Sequence, residues 1–244
     1  MRSEHDAEAV RGAILREGLS YLAHGVLLPF GFRRRHPHPV RGRDQRTVVF
    51  VHGLAANRAG FLPMQGYLRL HGHAPHYAFN YRSSGSIERI ALRLKREIDA
   101  HVRGGRIDLV AHSLGGLVAR FYLQQLGGAR RVDRLITLGT PHLGTHSANF
   151  IPAALVRQLL PEAPFIQHLN SLPAPDGVDV TSIIAGRDLL VQPVDAARCP
   201  FGRERHFPEL GHLELLFRPE VFAAVEAALQ TASAAKPRRG SLGA

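Results

Sequence analysis

The sequence of 244 residues has a single cysteine, Cys199, so no disulfide can form within the chain and no oxidising compartment is indicated. It has no apolar run long enough to cross a membrane as a helix. The start, residues 1–6, is acidic rather than basic, unlike the first part of a secretory signal peptide. We therefore expect no export by a standard signal peptide and a cytoplasmic location, either free or peripheral to the inner membrane.

Lysine is also scarce, because 29 of the 31 basic residues are Arg. The formal net charge is +11, which would suit an anionic partner such as nucleic acid or an acidic membrane surface. Apart from Arg33–Arg35, however, the Arg residues are scattered, and no zinc-finger or RNP-type motif accompanies them. We expect no nucleic-acid partner, and the Arg excess is consistent with coding bias.

The most informative stretch is a β-branched apolar run, residues 107–111, which stops at Ser113 among small residues. Directly after it, apolar residues recur at helical spacing from Leu114 to Phe121. A strand, a sharp turn and a helix are predicted. Such a turn strains the backbone of Ser113, is tolerated only between small neighbours and exposes Oγ at the start of a helix. Ser113 is the predicted nucleophile.

The stretch from Ala111 to Gly116, Ala-His-Ser-Leu-Gly-Gly, resembles the Gly-x-Ser-x-Gly nucleophile elbow of the α/β-hydrolase superfamily, and in particular that of bacterial triacylglycerol lipases and esterases. Ala111 replaces the first glycine of that pattern and Gly115 keeps the second. The resemblance implies an α/β fold with a mostly parallel, doubly wound sheet flanked by helices. Elsewhere in the chain, predicted strands and helices alternate, which favours the same architecture. No cofactor is implied.

Two further motifs follow predicted strands. His52–Leu54 comes after the apolar run Thr47–Val51, and Gly139–Gly144, a Gly-Thr-Pro-His-x-Gly segment typical of these enzymes, comes after Arg134–Leu138. By resemblance, the first motif supplies one oxyanion-hole amide, the N–H of Leu54. The residue after the nucleophile, Leu114, supplies the second.

The remaining catalytic residues are predicted from the loops after later strands. Asp188 follows the run 178–186 and resembles the acid of α/β-hydrolases, with Asp195 as the second choice. A Gly-His pair before the last predicted helix makes His212 the base, with His206 as its nearest rival. The order Ser113, Asp188, His212 is that of α/β-hydrolases and not of other triad folds.

The chain divides by composition into three predicted parts. Residues 1–45 form an N-terminal amphipathic helix and linker, 46–232 the catalytic domain, and 233–244 a disordered tail. Residues 8–35 would suit a peripheral membrane anchor, or a helix that either packs against the catalytic core or caps the acyl groove. Within the catalytic domain, 141–177 departs from the strand-helix rhythm, as either a short lid-like insertion or ordinary surface helices.

The predicted activity is that of a carboxylic ester hydrolase of the EC 3.1.1 type. A lipase or esterase would form an acyl-enzyme on Ser113 and take a small-molecule or, more specifically, a lipid ester. The same residues could serve a thioesterase or an acyltransferase, and a non-catalytic protein that binds membrane surfaces is the alternative of another class. His142 and His146 are four residues apart but lack a third ligand, so no metal is expected.

Overall fold

The computed structural model describes residues 2–32, 40–41, 46–73, 75–150 and 153–231, with side chains described from residue 12 onward except at 40 and 41. The basic triplet Arg33–Arg35, most of the predicted linker and the predicted tail lie outside these ranges.

A six-stranded sheet forms the centre of the chain, and all of its neighbouring strands are parallel. Its spatial order is β3-β2-β5-β6-β7-β8. The strands are β2 (Thr47–Val51), β3 (His76–Phe79), β5 (Ile107–His112), β6 (Val132–Leu138), β7 (Asp179–Ala185) and β8 (Arg203–Phe207). Two short strands, β1 (Val40–Arg41) and β4 (Val102–Arg103), pair separately. The predicted architecture, a mostly parallel, doubly wound sheet flanked by helices, is confirmed.

The described helices are α1 (Arg2–Gly31), α2 (Leu62–Leu70), α3 (Ile87–His101), α4 (Leu114–Gln125), α5 (Ala154–Arg157), α6 (Pro164–Ser171) and α7 (Pro219–Gln230). Helices α3 and α4 cover one face of the sheet, and α2 and α7 cover the other. Leu94 of α3 and Leu117 of α4 belong to the core on one face, whereas Met64 of α2 and Val221 of α7 belong to the core on the other. The middle strands are therefore buried on both faces, which explains their unbroken apolar runs.

The sequence pattern does not predict one strand of the six-stranded sheet, because Arg203–Phe207 forms β8 at its edge. Its side chains are mostly charged and exposed, so it lacks the apolar pattern of the inner strands. Charged side chains are common on edge strands because they discourage pairing with another chain.

Helix α1 packs across the carboxyl ends of the strands rather than on either face. It contacts the 3-10 helix Arg58–Phe61, and Asn57 donates from Nδ2 to the carbonyl of Leu28 at 2.8 Å. Near its end, Asn80 donates to the carbonyl of Gly31 at 3.2 Å. Among the described residues, no helix is long and apolar enough to cross a membrane.

Candidate active site

The predicted nucleophile lies in the sharp turn between β5 and α4. Ser113 has φ 54° and ψ −128°, a backbone conformation that side chains larger than Gly rarely adopt. Close packing holds this turn against the loop after β2. A Cβ on Gly53 would lie 2.9 Å from the Cβ of Ser113, and one on Gly115 would overlap the carbonyl oxygen of Val51. Glycine is therefore needed at both positions so that the backbone of the turn at Ser113 and that of the loop after β2 can approach this closely.

The predicted base and acid are in direct contact. His212 Nδ1 lies 2.6 Å from Asp188 Oδ2, and both side chains are buried. The other carboxylate oxygen, Oδ1, accepts the N–H groups of Leu190 and Val191, each at 2.8 Å. Because Asp188 accepts from Nδ1–H, the Nε2 of His212 keeps its lone pair. That is the tautomer a general base needs toward Ser113.

The second choices for acid and base lie elsewhere. The side chain of Asp195 is exposed and paired with Arg198 at 3.0 Å. The imidazole of His206 is exposed on β8 and lies 2.9 Å from Glu204. The structure therefore brings Asp188, and not Asp195, to His212.

The two predicted oxyanion-hole residues flank Ser113. Leu114 is the first residue of α4, where its N–H has no carbonyl of the same helix to bond. Leu54 follows Gly53, which approaches Ser113 closely. His52 donates from Nδ1 to the carbonyl of Gly53 at 2.9 Å, and that carbonyl and the N–H of Leu54 belong to one planar peptide. The ring of His52 thus fixes the direction of the Leu54 N–H.

His52 is held as a single neutral tautomer. Its Nε2 accepts the backbone N–H of Tyr81 at 3.2 Å, while its Nδ1 donates to Gly53. The imidazole of His52 stacks on the ring of Tyr81 with centroids 4.1 Å apart, and the Tyr81 hydroxyl donates to the His52 carbonyl at 2.6 Å. Burial lowers the pKa of His52 to about 4. The sequence motif predicts the Leu54 amide as an oxyanion-hole donor but does not indicate this support from the ring of His52.

A cavity of about 420 Å³ opens at Ser113 and His212. Its walls come from the loop after β2, the predicted lid-like segment, the loop after Asp188 and helix α1. The apolar wall residues include Leu54, Ala56, Ala148, Val156, Leu159, Leu190, Val191 and Leu213. Tyr21 and His24 of α1 also line it, so the N-terminal helix forms one wall of the cavity.

The sequence of this chain matches a protein family over residues 42–163, half of its length, and the family is described as "Putative serine esterase (DUF676)". The chain belongs to this family. Within the match lie Ser113, Leu54 and Leu114, whereas Asp188 and His212 follow it and α1 precedes it. The family of serine esterases confirms the predicted resemblance to ester-cleaving α/β-hydrolases.

Solved structures of similar fold include lipases from several organisms. Lipase BlEst2 of Bacillus licheniformis in its mature form has a TM-score of 0.64 at 16% identity, covering 80% of this chain and 95% of its own. Aspergillus fumigatus lipase B has a TM-score of 0.68 at 18% identity over 85% of this chain and 58% of its own. Monoacylglycerol lipase of Paleococcus ferrophilus has a TM-score of 0.57 at 16% identity, covering 79% of this chain and 93% of its own. At these identities the likeness shows the shared fold.

The histidine of the Gly-Thr-Pro-His segment in this chain makes structural contacts. His142 is fully buried, with Nε2 3.0 Å from Thr137 Oγ1 and Nδ1 3.4 Å from Arg120 Nη1. Both ring nitrogens are therefore engaged by protein groups. The described residues include no cluster of three or more His, Cys, Asp or Glu that could hold a metal ion.

Proposed function

We propose that the chain cleaves lipid acyl esters through an acyl-enzyme on Ser113. The observation that carries this proposal is the position of Ser113: it occupies the strained turn at an apolar cavity that it shares with His212, whose Nδ1 is bonded to Asp188. Membership of a serine esterase family supports the ester chemistry.

The proposed reaction has two steps. His212 Nε2 takes the proton of the Ser113 hydroxyl as Oγ attacks the ester carbonyl, and the N–H groups of Leu54 and Leu114 stabilise the resulting oxyanion. His212 then gives the proton to the departing alcohol, which leaves an acyl group on Oγ. In the second step a water attacks the acyl carbonyl as His212 takes its proton, and His212 then gives that proton to Ser113 Oγ while the carboxylic acid leaves. Asp188 holds the imidazole and stabilises its positive form.

An acyl chain is the substrate part that the cavity would best accommodate. Its walls are mainly aliphatic, and aliphatic walls gain by excluding water from methylene groups. The description of the Paleococcus relative as a monoacylglycerol lipase, and those of the other relatives as lipases, point the same way. We therefore propose a lipid ester rather than a small charged ester.

The outward face of α1 would contact the lipid surface that supplies this substrate. Residues 18–32 contain no Asp, Glu, Lys or Arg. Large apolar side chains on this face are exposed to solvent: Leu15, Leu19, Leu22, Val26, Phe30 and Phe32. Tyr21 is half-exposed on the same helix and lines the cavity, so these exposed apolar side chains belong to a helix that borders the opening beside Ser113. An uncharged, exposed helix face next to a lipid-binding cavity fits a peripheral membrane protein.

Vesicle binding tests this contact. Leu22 is 64% exposed on α1, and Leu70, at the end of α2, is 88% exposed. We expect Leu22→Glu to weaken cosedimentation with phosphatidylglycerol vesicles at least several-fold, because a carboxylate would have to enter the headgroup region. Leu70→Glu adds the same charge away from this face and should leave binding unchanged. Equal binding by both variants would contradict membrane contact through α1.

Hydrolysis of p-nitrophenyl esters, from acetate to palmitate, tests the catalytic proposal. Wild type should turn over these esters, and Ser113→Ala should show no turnover above background while keeping the same melting temperature. A long-chain optimum would support a lipase, and a short-chain optimum an esterase. If folded wild type cleaves no ester, the proposal fails. Acyl-CoA hydrolysis, acyl transfer to an added alcohol and vesicle binding without turnover then identify a thioesterase, an acyltransferase or a non-catalytic binder.

A further inference from the structure

Helix α1 reaches the loop of the predicted base with two consecutive side chains. Glu17 accepts the N–H of Leu213 through Oε1 at 3.0 Å and the N–H of Glu214 through Oε2 at 3.2 Å. Arg16 donates to the carboxylate of Glu214 at 3.3 Å and to the carbonyl of Glu209 at 3.2 Å. Both residues precede the part of the chain that matches the serine esterase family.

The peptide group between His212 and Leu213 is bound at both ends. Its N–H donates to Glu17, and its carbonyl accepts from Nε2 of His112 at 3.2 Å. One support comes from α1 and the other from the end of β5, directly before Ser113. A planar peptide bound at both ends cannot rotate without breaking one of these bonds.

The packing around this contact leaves little room. A Cβ on Gly211 would overlap the Glu17 carboxylate, so the loop can approach α1 this closely only with glycine at 211. Glu214, itself buried, binds the N–H of Gly211 through Oε2 at 3.0 Å. Side chains therefore bind backbone groups at each of the four residues 211–214, and Glu17 supplies two of these bonds.

We infer that Glu17 is a positioning residue that holds the backbone of His212 and thereby aligns its imidazole between Asp188 and Ser113. The N-terminal helix is then part of the catalytic machinery as well as a wall of the cavity. Removal of the carboxylate frees two N–H groups and lets the His212 loop shift. Misplacement of a reacting group by about 1 Å can cost about 100-fold in rate. The expected effect of Glu17 on the reaction rate rests on the proposed hydrolysis, whereas its positioning of His212 does not.

The closing experiment compares three variants of the full chain. Glu17→Ala removes both acceptors, and we expect kcat on a soluble p-nitrophenyl ester to fall about 10- to 100-fold with KM within about twofold. Glu17→Gln keeps one oxygen acceptor in nearly the same shape and should recover part of that loss. Ser20→Ala is the matched control. Ser20 is buried one turn further along α1, and its hydroxyl donates to the carbonyl of Arg16 at 3.1 Å. It should retain the wild-type kcat.

A spectroscopic readout separates this inference from the activity itself. The proton in the 2.6 Å contact between His212 Nδ1 and Asp188 should give a downfield proton resonance in wild type. In Glu17→Ala we expect that resonance to broaden or exchange faster, while Ser20→Ala leaves it unchanged. If wild type cleaves no ester, the proposed function fails and the resonance still tests the positioning. The inference would be overturned if folded Glu17→Ala kept the wild-type kcat, or if Ser20→Ala lost as much kcat as Glu17→Ala. If the wild-type chain proves inactive, a wild-type resonance in folded Glu17→Ala would overturn it.

Discussion

His112 donates from Nε2 to the backbone carbonyl of His212 at 3.2 Å, so the residue before the predicted nucleophile holds the residue of the predicted base. Since a carbonyl oxygen only accepts, the proton of this ring is on Nε2. Nδ1 is then a buried acceptor with no hydrogen-bond partner among the described residues. Burial, and then the nearby His212 ring, lower the pKa of His112 well below its usual range. His112 is therefore a neutral residue at ordinary pH.

Acid should destabilise the chain because several histidines are neutral in this way. Burial lowers the pKa of His52 and of His76 to about 4, against roughly 6.5 in an unfolded chain. Between these two pH values the unfolded chain binds more protons than the folded one, so the free energy of unfolding falls as pH falls. Burial raises the pKa of Asp108 to about 6, which acts in the opposite direction. Among the described residues the pKa is raised at two carboxyl groups, Asp108 and Glu17, but lowered at five histidines, so the net effect should be destabilising.

His76 offers a clean test because it lies on β3, outside the predicted active site. Neither of its ring nitrogens has a hydrogen-bond partner in the described part of the chain. We expect His76→Leu to reduce the loss of unfolding free energy between pH 6.5 and pH 4 by about 2 to 3 kcal/mol, measured by urea unfolding. Leu70→Ala, at an exposed position with no titratable group, should keep the wild-type dependence. Identical curves for His76→Leu and wild type would contradict the assignment.

Asp188→Asn should disable the predicted base through its tautomer. Oδ1 of residue 188 accepts two backbone N–H groups, so the NH2 of an asparagine would face Nδ1 of His212. The ring would then place its proton on Nε2 and could not accept one from Ser113. We expect kcat to fall about 10³- to 10⁴-fold with the melting temperature little changed. Asp195→Asn should stay within about twofold of wild type. The opposite order would make Asp195 the acid.

His52 should influence the rate through the oxyanion hole. His52→Ala removes the bond to the Gly53 carbonyl and frees the Leu54 N–H to rotate, and we expect kcat to fall about 10- to 100-fold with little change in KM. His52→Asn places an amide N–H near the former Nδ1 and should restore part of the rate. A loss confined to KM would show that His52 contributes to substrate binding instead.

The residues with local chemical signatures could be predicted from the sequence. Small residues around Ser113, between an apolar strand and a helix, indicate the strained turn. Asp188 follows an apolar strand at the edge of a parallel sheet where functional groups converge, whereas His212 is indicated by the Gly-His pair before the last helix. These signals lie within a few residues of each site, so no knowledge of distant contacts was needed to select them.

Contacts between distant segments could not be predicted in this way. Glu17 and Leu213 are 196 positions apart, and no pattern in either segment indicates that they meet. The strand Arg203–Phe207 was missed because an exposed edge strand lacks the apolar pattern of a buried one. The sequence left open whether residues 8–35 pack against the core or bind a membrane. In the structure α1 both lines the cavity and exposes an apolar face.

The depth of the cavity should set the acyl-chain preference. Val156 is a buried residue of α5 that lines the cavity. In wild type, kcat/KM should rise by up to about fourfold for each added methylene until the cavity is full, because each buried CH2 contributes about 0.8 kcal/mol. Val156→Phe fills part of this space, so the optimum should move to shorter chains while turnover of acetate esters is retained. Arg157→Ala, on the exposed side of the same helix, is the control and should keep the wild-type profile. An unchanged profile in folded Val156→Phe would place the acyl chain outside this cavity, and Ala148→Leu provides a second, smaller obstruction if the larger one impairs folding.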